Sequence, residues 1–96
     1  MSVELMAKAL RTKLPTAQKF LLLILGDNTD DEGMFGPSCE PGAYFPSLEY
    51  LEERCSLTRK EVIDCLEALE KAGCLERDSM NDELVFSRAF VEWKIS

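Results

Sequence analysis

The stretch from Thr58 to Gly73 constrains this chain more than any other. Thr58-x-x-Glu61 is a capping box: the threonine hydroxyl takes an orphan amide of the first turn, and the glutamate reaches back to the cap. Behind it, Val62, Cys65, Leu66, Ala68, Leu69 and Ala72 fall on one side of a helix, and Gly73 supplies a left-handed stop. A helix with one apolar face is stable only against a partner, so the rest of the chain must cover that face. Directly after it, Cys74 to Arg77 and Glu83 to Phe86 read as two strands around a turn from Asp78 to Asp82.

Upstream, the pattern predicts more helix. Ser47 is a candidate cap for a helix through Leu48 and Leu51 to about Arg54, and Cys55-Ser56-Leu57-Thr58 breaks it from the next. Val3 to Leu14 fits a short amphipathic helix with apolar Val3, Met6 and Leu10, Leu5 and Ala9 beside them, and Glu4, Lys8 and Arg11 on its outer side. Leu14-Pro15-Thr16 ends it, and Pro15 stands where a helix over Thr16 to Gly26 begins. That helix carries Phe20-Leu21-Leu22-Leu23-Ile24-Leu25, a run that belongs in a core. Between the second and third helices, Asp27 to Gly33 is turn chemistry, and Gly36, Pro37, Pro41 and Gly42 keep the chain irregular up to one short extended piece, Ala43-Tyr44-Phe45. The tail, with Phe90, Val91, Trp93 and Ile95, has no clear period; Phe90 and Trp93 read equally as satellite core or dimer contact.

Ninety-six residues suffice for one core and not for two. The reading is therefore a single domain over residues 1–96, with its core at 14–77 and a C-terminal extension at 88–96. Its fold class is mainly α with a small β hairpin. Two helices across a short turn followed by a hairpin make a winged helix-turn-helix.

Several segments are similar to one family. Leu14-Pro15-Thr16 with its aliphatic helix, Leu25-Gly26-Asp27-Asn28-x-Asp30-x-Glu32-Gly33 and Phe45-Pro46-Ser47-Leu48-x-x-Leu51 come first. Leu57-Thr58-Arg59-x-x-Val62 and Leu66-x-x-Leu69-x-x-Ala72-Gly73-x-Leu75 follow in order, and Met1-Ser2-Val3 with Ala9-Leu10-Arg11 forms the leader. Together they resemble the winged helix-turn-helix of phage-encoded regulators and of phage and plasmid replication-protein N-terminal domains. The resemblance implies binding of double-stranded DNA, in transcription regulation or replication initiation. Carried onto this chain, Ser56 and Thr58 meet phosphates at the start of the recognition helix. Arg59 and Lys60 contact bases or phosphates, Ile63 touches a thymine methyl or packs against protein, and Arg77 lies on the wing. Lys8, Arg11, Lys13 and Lys19 add positive charge from the N-terminal region. The N-terminus shows no apolar stretch of signal-peptide length and the chain no run long enough for a bilayer, so a cytoplasmic place is expected. A homodimer is expected because one small helix-turn-helix of this charge gains too little affinity alone.

Charge points to a second reading. The net charge of −7 divides as +3 over residues 1–26, −7 over 27–54 and −3 over 55–96. Outward positions on the two central helices are Glu49, Glu52, Glu53, Asp64, Glu67 and Glu70, and the wing tip holds Asp78 and Asp82. Acids on a DNA-facing surface oppose the phosphate attraction that dominates affinity. The alternative is an acidic winged-helix inhibitor, anti-CRISPR-like, in which those six acids bind a basic protein partner at its nucleic-acid site.

Other functions find little purchase. The longest apolar run is six residues, against roughly 20 for a bilayer span, so no membrane association is expected. Cys39, Cys55, Cys65 and Cys74 form no C-x-x-C pair, and histidine is absent, so core thiols rather than a metal site are expected. Asp27 to Gly33 resembles the opening of a calcium loop, but the twelfth position is Cys39 where that loop needs a bidentate glutamate. No Gly-rich phosphate loop or nucleophile elbow is present, and neither an enzyme nor a cofactor is expected.

Overall fold

The computed structural model describes residues 2–31, 33, 35, 45–78 and 83–94. Their secondary structure is mainly helical, with one small two-stranded antiparallel sheet. In chain order the elements are α1 (Val3–Arg11), α2 (Thr16–Asp27), α3 (Leu48–Cys55), α4 (Arg59–Lys71), β1 (Leu75–Arg77), β2 (Leu84–Phe86) and α5 (Arg88–Glu92). The expected extended piece at Ala43-Tyr44, together with Cys39 and Asp82, lies outside the described residues.

The aliphatic helix α2 is the centre of the fold. Leu21, Leu22 and Leu25 are wholly buried there, while Leu23 and Ile24 are partly buried against them. Around it pack α1, α3 and α4. One continuous cluster of buried residues takes Leu5 and Ala9 from α1, Leu51 from α3, and Val62, Cys65, Leu66 and Leu69 from α4. Leu75, Leu84, Phe86 and Phe90 extend it through the sheet into α5. A two-stranded hairpin is marginal alone, and this one is held by the apolar side chains it buries.

Local chemistry sets the ends of α4. Thr58 accepts from the Glu61 amide while its own amide donates to Glu61 Oε1, so both halves of the capping box are present. At the other end Gly73 adopts φ 85°, with Gly73 N donating to Glu70 O and Cys74 N to Leu69 O. That pair of bonds is a Schellman stop, which directs the chain into β1. The strands pair in the register Leu75 with Phe86, Glu76 with Val85 and Arg77 with Leu84. Ser87 then caps α5 by accepting from the Phe90 amide and donates to the Gly73 carbonyl at 2.6 Å, tying the tail to the end of α4.

The first helix corrects the sequence reading. It stops at Arg11 rather than Leu14, with the Thr12 hydroxyl donating to the Lys8 carbonyl. Its inward side also differs in part, for Leu5 and Ala9 are buried with Lys8 rather than with Val3 and Leu10, which are 69% and 58% exposed. Apolar residues occupy both sides of this helix, so periodicity alone does not select one. The inward side has small Ala9, which permits close approach to α2, and an N-cap, Ser2, that is itself buried. Ser2 accepts from the Leu5 amide and donates to Asp31 of the turn after α2. Lys8, expected in solvent, is 2% exposed; its stem is apolar and its ammonium donates to the Val91 carbonyl beside Glu4 at 3.7 Å.

The described residues after α2 make local contacts. Thr29 forms an isolated bridge with Phe35, and Gly33 N donates to Asp30 O. Phe35 belongs to a row of rings in which Phe45, Phe35, Phe86, Phe90 and Trp93 are successive neighbours, 4.9 to 6.2 Å between centroids. This row places the tail: Phe90 is buried core, and Trp93 lies at the end, partly exposed.

Candidate functional site

Helices α3 and α4 meet across Ser56-Leu57-Thr58, and the outer side of α4 carries the residues singled out from sequence. Ser56 ends α3 in a left-handed conformation, φ 55° and ψ 42°. This turns the chain sharply enough for Leu57 N to donate to the Glu52 carbonyl and for α4 to start at Arg59. Side chains at i, i+3, i+4 and i+7 share a helix face, so Lys60, Ile63, Asp64, Glu67 and Lys71 form one stripe. All five are exposed, Ile63 at 38%. The stripe begins with a cation, passes an apolar side chain, crosses two acids and ends on a cation.

Two candidate cations, though exposed, are matched by acids of the chain. Arg59 reaches back to α3, with Nε 3.3 Å from Glu52 Oε2. Arg77 on β1 lies 4.0 Å from Glu70 of α4, so the hairpin cation and one of the helix acids are brought together. Glu49 and Glu53 are exposed on α3, and Glu52 is half-buried. The expected anion site at the start of α4 is already engaged. Glu61 sits over the Thr58 amide, and its carboxyl is held below its ordinary value by the backbone and side-chain hydrogen bonds it shares with Thr58. Such a carboxylate favours the positive end of the helix just as an incoming phosphate would.

Of the N-terminal cations, Lys8 is withdrawn into the structure and Lys19 donates to the Leu10 carbonyl at 3.1 Å, while Arg11 and Lys13 are exposed. Sequence reasoning passed over Arg54. Its guanidinium lies 4.9 Å over the Tyr50 ring, an exposed cation on the same helix as the three acids. The signal was available in the i, i+4 spacing of Tyr50 and Arg54.

Cys55, Cys65 and Cys74 are free thiols, and burial pushes all three above the ordinary cysteine value. The neighbouring Asp64 and Glu61 add to this for Cys65, and the Cys65 sulfur adds for Cys55. Both effects disfavour the thiolate form. Among the described residues no group of three histidines, cysteines or acids is placed to hold a metal, and no helix is long and apolar enough to cross a membrane.

No family model matches this chain, and comparison with curated proteins and with solved structures gives no match either.

Proposed function

We propose that this chain is a winged helix-turn-helix module that binds double-stranded DNA through α4. It acts in the cytoplasm in transcription regulation or replication initiation of a phage or mobile element, and has no enzymatic role. The observation that carries this reading is the exposed stripe of α4. A helix capped at both ends by local chemistry, fixed by its buried face and followed at once by a hairpin, presents one uncovered row of side chains. Lys60 and Arg59 are the contacts at its N-terminal end, and Ile63 suits a thymine methyl. Asp64 and Glu67 accept from the cytosine amino group. The acids reduce the non-specific phosphate attraction, so binding depends more on base contacts than is usual.

The test is binding of purified protein to mixed duplex DNA at low and moderate salt. Binding that weakens steeply with salt supports phosphate contact. Arg59→Ala with Lys60→Ala abolishes specific binding; undiminished binding by that variant overturns the site.

A second reading is favoured by the Arg59–Glu52 pair and the Glu61 carboxylate at the start of α4. The first matches a cation with the chain's own acid, the second sets a carboxylate over the helix start, and Glu49, Glu53, Asp64 and Glu67 stay exposed. On this reading the surface docks on a basic protein and occupies its nucleic-acid site. It is supported if DNA binding is absent even at low salt and if charge reversal at those acids weakens capture of a basic partner.

A further inference from the structure

Helix α1 carries a second apolar face that no described element covers. At 100° per residue, Val3, Ala7 and Leu10 fall within an arc of about 60°, opposite the buried Leu5, Lys8 and Ala9. Val3 and Leu10 are the two most exposed large apolar side chains among the described residues. Apolar area is unfavourable in water, so a pair of such side chains two helical turns apart is a costly thing to leave exposed.

The edge of that face carries its own complement. Glu4 and Arg11 are also seven residues apart, so they lie along the same flank of the apolar stripe, one near each end. Both are exposed. Glu4 approaches Lys8 at 3.7 Å, but Lys8 is buried with its ammonium on the Val91 carbonyl, and the Glu4 carboxylate remains 62% accessible. In an antiparallel pair of helices related by a two-fold axis, like flanks face each other. Glu4 of one copy then meets Arg11 of the other, and the reverse contact follows by symmetry. The axis passes near Ala7, midway between the charges, where a small side chain allows the helices to approach. A parallel pair sets this flank against the Met6 side instead, where α1 itself carries no charged residue.

We infer that a second copy of this chain docks on α1, antiparallel about a two-fold axis near Ala7, with Val3 and Leu10 buried and Glu4 facing the partner's Arg11. This rests on α1 alone and is independent of what α4 binds.

The experiment is the solution mass of the intact chain, by sedimentation equilibrium from micromolar to sub-millimolar concentration. A monomer–dimer equilibrium is expected. Leu10→Glu raises its dissociation constant at least about tenfold, because a charge is buried in the seam. Arg11→Glu weakens the dimer by placing two acids together, and Glu4→Arg combined with Arg11→Glu restores it. Circular dichroism melts in dilute solution confirm that these surface variants fold. A monomer at every concentration overturns the proposal, as does a dimer indifferent to Leu10→Glu. A dimer weakened by Arg11→Glu and not recovered by the double exchange overturns the antiparallel arrangement.

Discussion

Helices α1 and α4 are both short and amphipathic, yet they reach their places by different routes. The start and stop of α4 are written into neighbouring residues: Thr58 and Glu61 close one end, and Gly73 closes the other. Apart from Ile63, its large apolar residues fall on one side, and that face is the one buried. In α1 the apolar residues fall on two sides, and the cap and the inward cation are both tied to distant segments. Ser2 binds Asp31, and Lys8 binds Val91. A helix specified locally keeps its orientation whatever packs against it. A helix specified by tertiary contacts has a spare face, and in this chain that face is large and apolar.

The sharpest division lies in the core. Leu69→Ala in α4 and Leu5→Ala in α1 each remove a wholly buried side chain and are expected to cost about 2–5 kcal/mol in urea unfolding. Leu10→Ala, on the same helix as Leu5, is expected to stay within about 0.5 kcal/mol when measured in dilute solution. A large loss at Leu10 in dilute protein breaks the two-faced account of α1.

Lys8 provides the next test. Truncation in Lys8→Ala leaves the Val91 carbonyl without its donor and removes the packed stem, for an expected loss of about 1–3 kcal/mol. Arg11→Ala, exposed one turn later, falls within about 0.5 kcal/mol. Equal effects place Lys8 in solvent, as its sequence position alone had suggested.

Smaller effects belong to the ends of α4. Thr58→Ala removes the hydroxyl cap and is expected to cost about 1 kcal/mol. The smallest effect is a pH dependence. The Glu61 carboxyl is depressed below its ordinary value in the folded chain, so its contribution is complete above the ordinary carboxylate range. It is lost as pH falls through the lower, folded-state value. The stability difference between wild type and Glu61→Gln is therefore expected to shrink on acidification. A difference that does not change with pH removes the ionised form from the cap.

Much of this was legible beforehand, and the reason is local. The caps at Ser47 and Thr58, the stop at Gly73 and the hairpin from Leu75 to Phe86 depend on residues within a few positions of each other. The face of α1 was partly misread because both its sides are apolar. The tail was not legible because its place comes from a row of rings running from Phe45 through Phe35 and Phe86 to Phe90 and Trp93. Those residues are far apart in the chain and have no common period. In the candidate site, the sequence placed Ile63, Asp64, Glu67 and Glu70 outward; the first three are exposed, and Glu70 is half-buried. The pairing of Arg59 with Glu52 and of Arg77 with Glu70 came only with the crossing of α3, α4 and β1.

By itself, then, the sequence determined where α4 begins and ends, which side of it is buried and that two strands follow. These features arise from hydrogen bonds and apolar spacing inside single segments. Tertiary structure alone decided which side of α1 turns inward, that Lys8 is buried, and which cations near α4 are matched by acids. Each of those outcomes compares contacts between distant segments, and their energies exist only once α2 has brought the segments together.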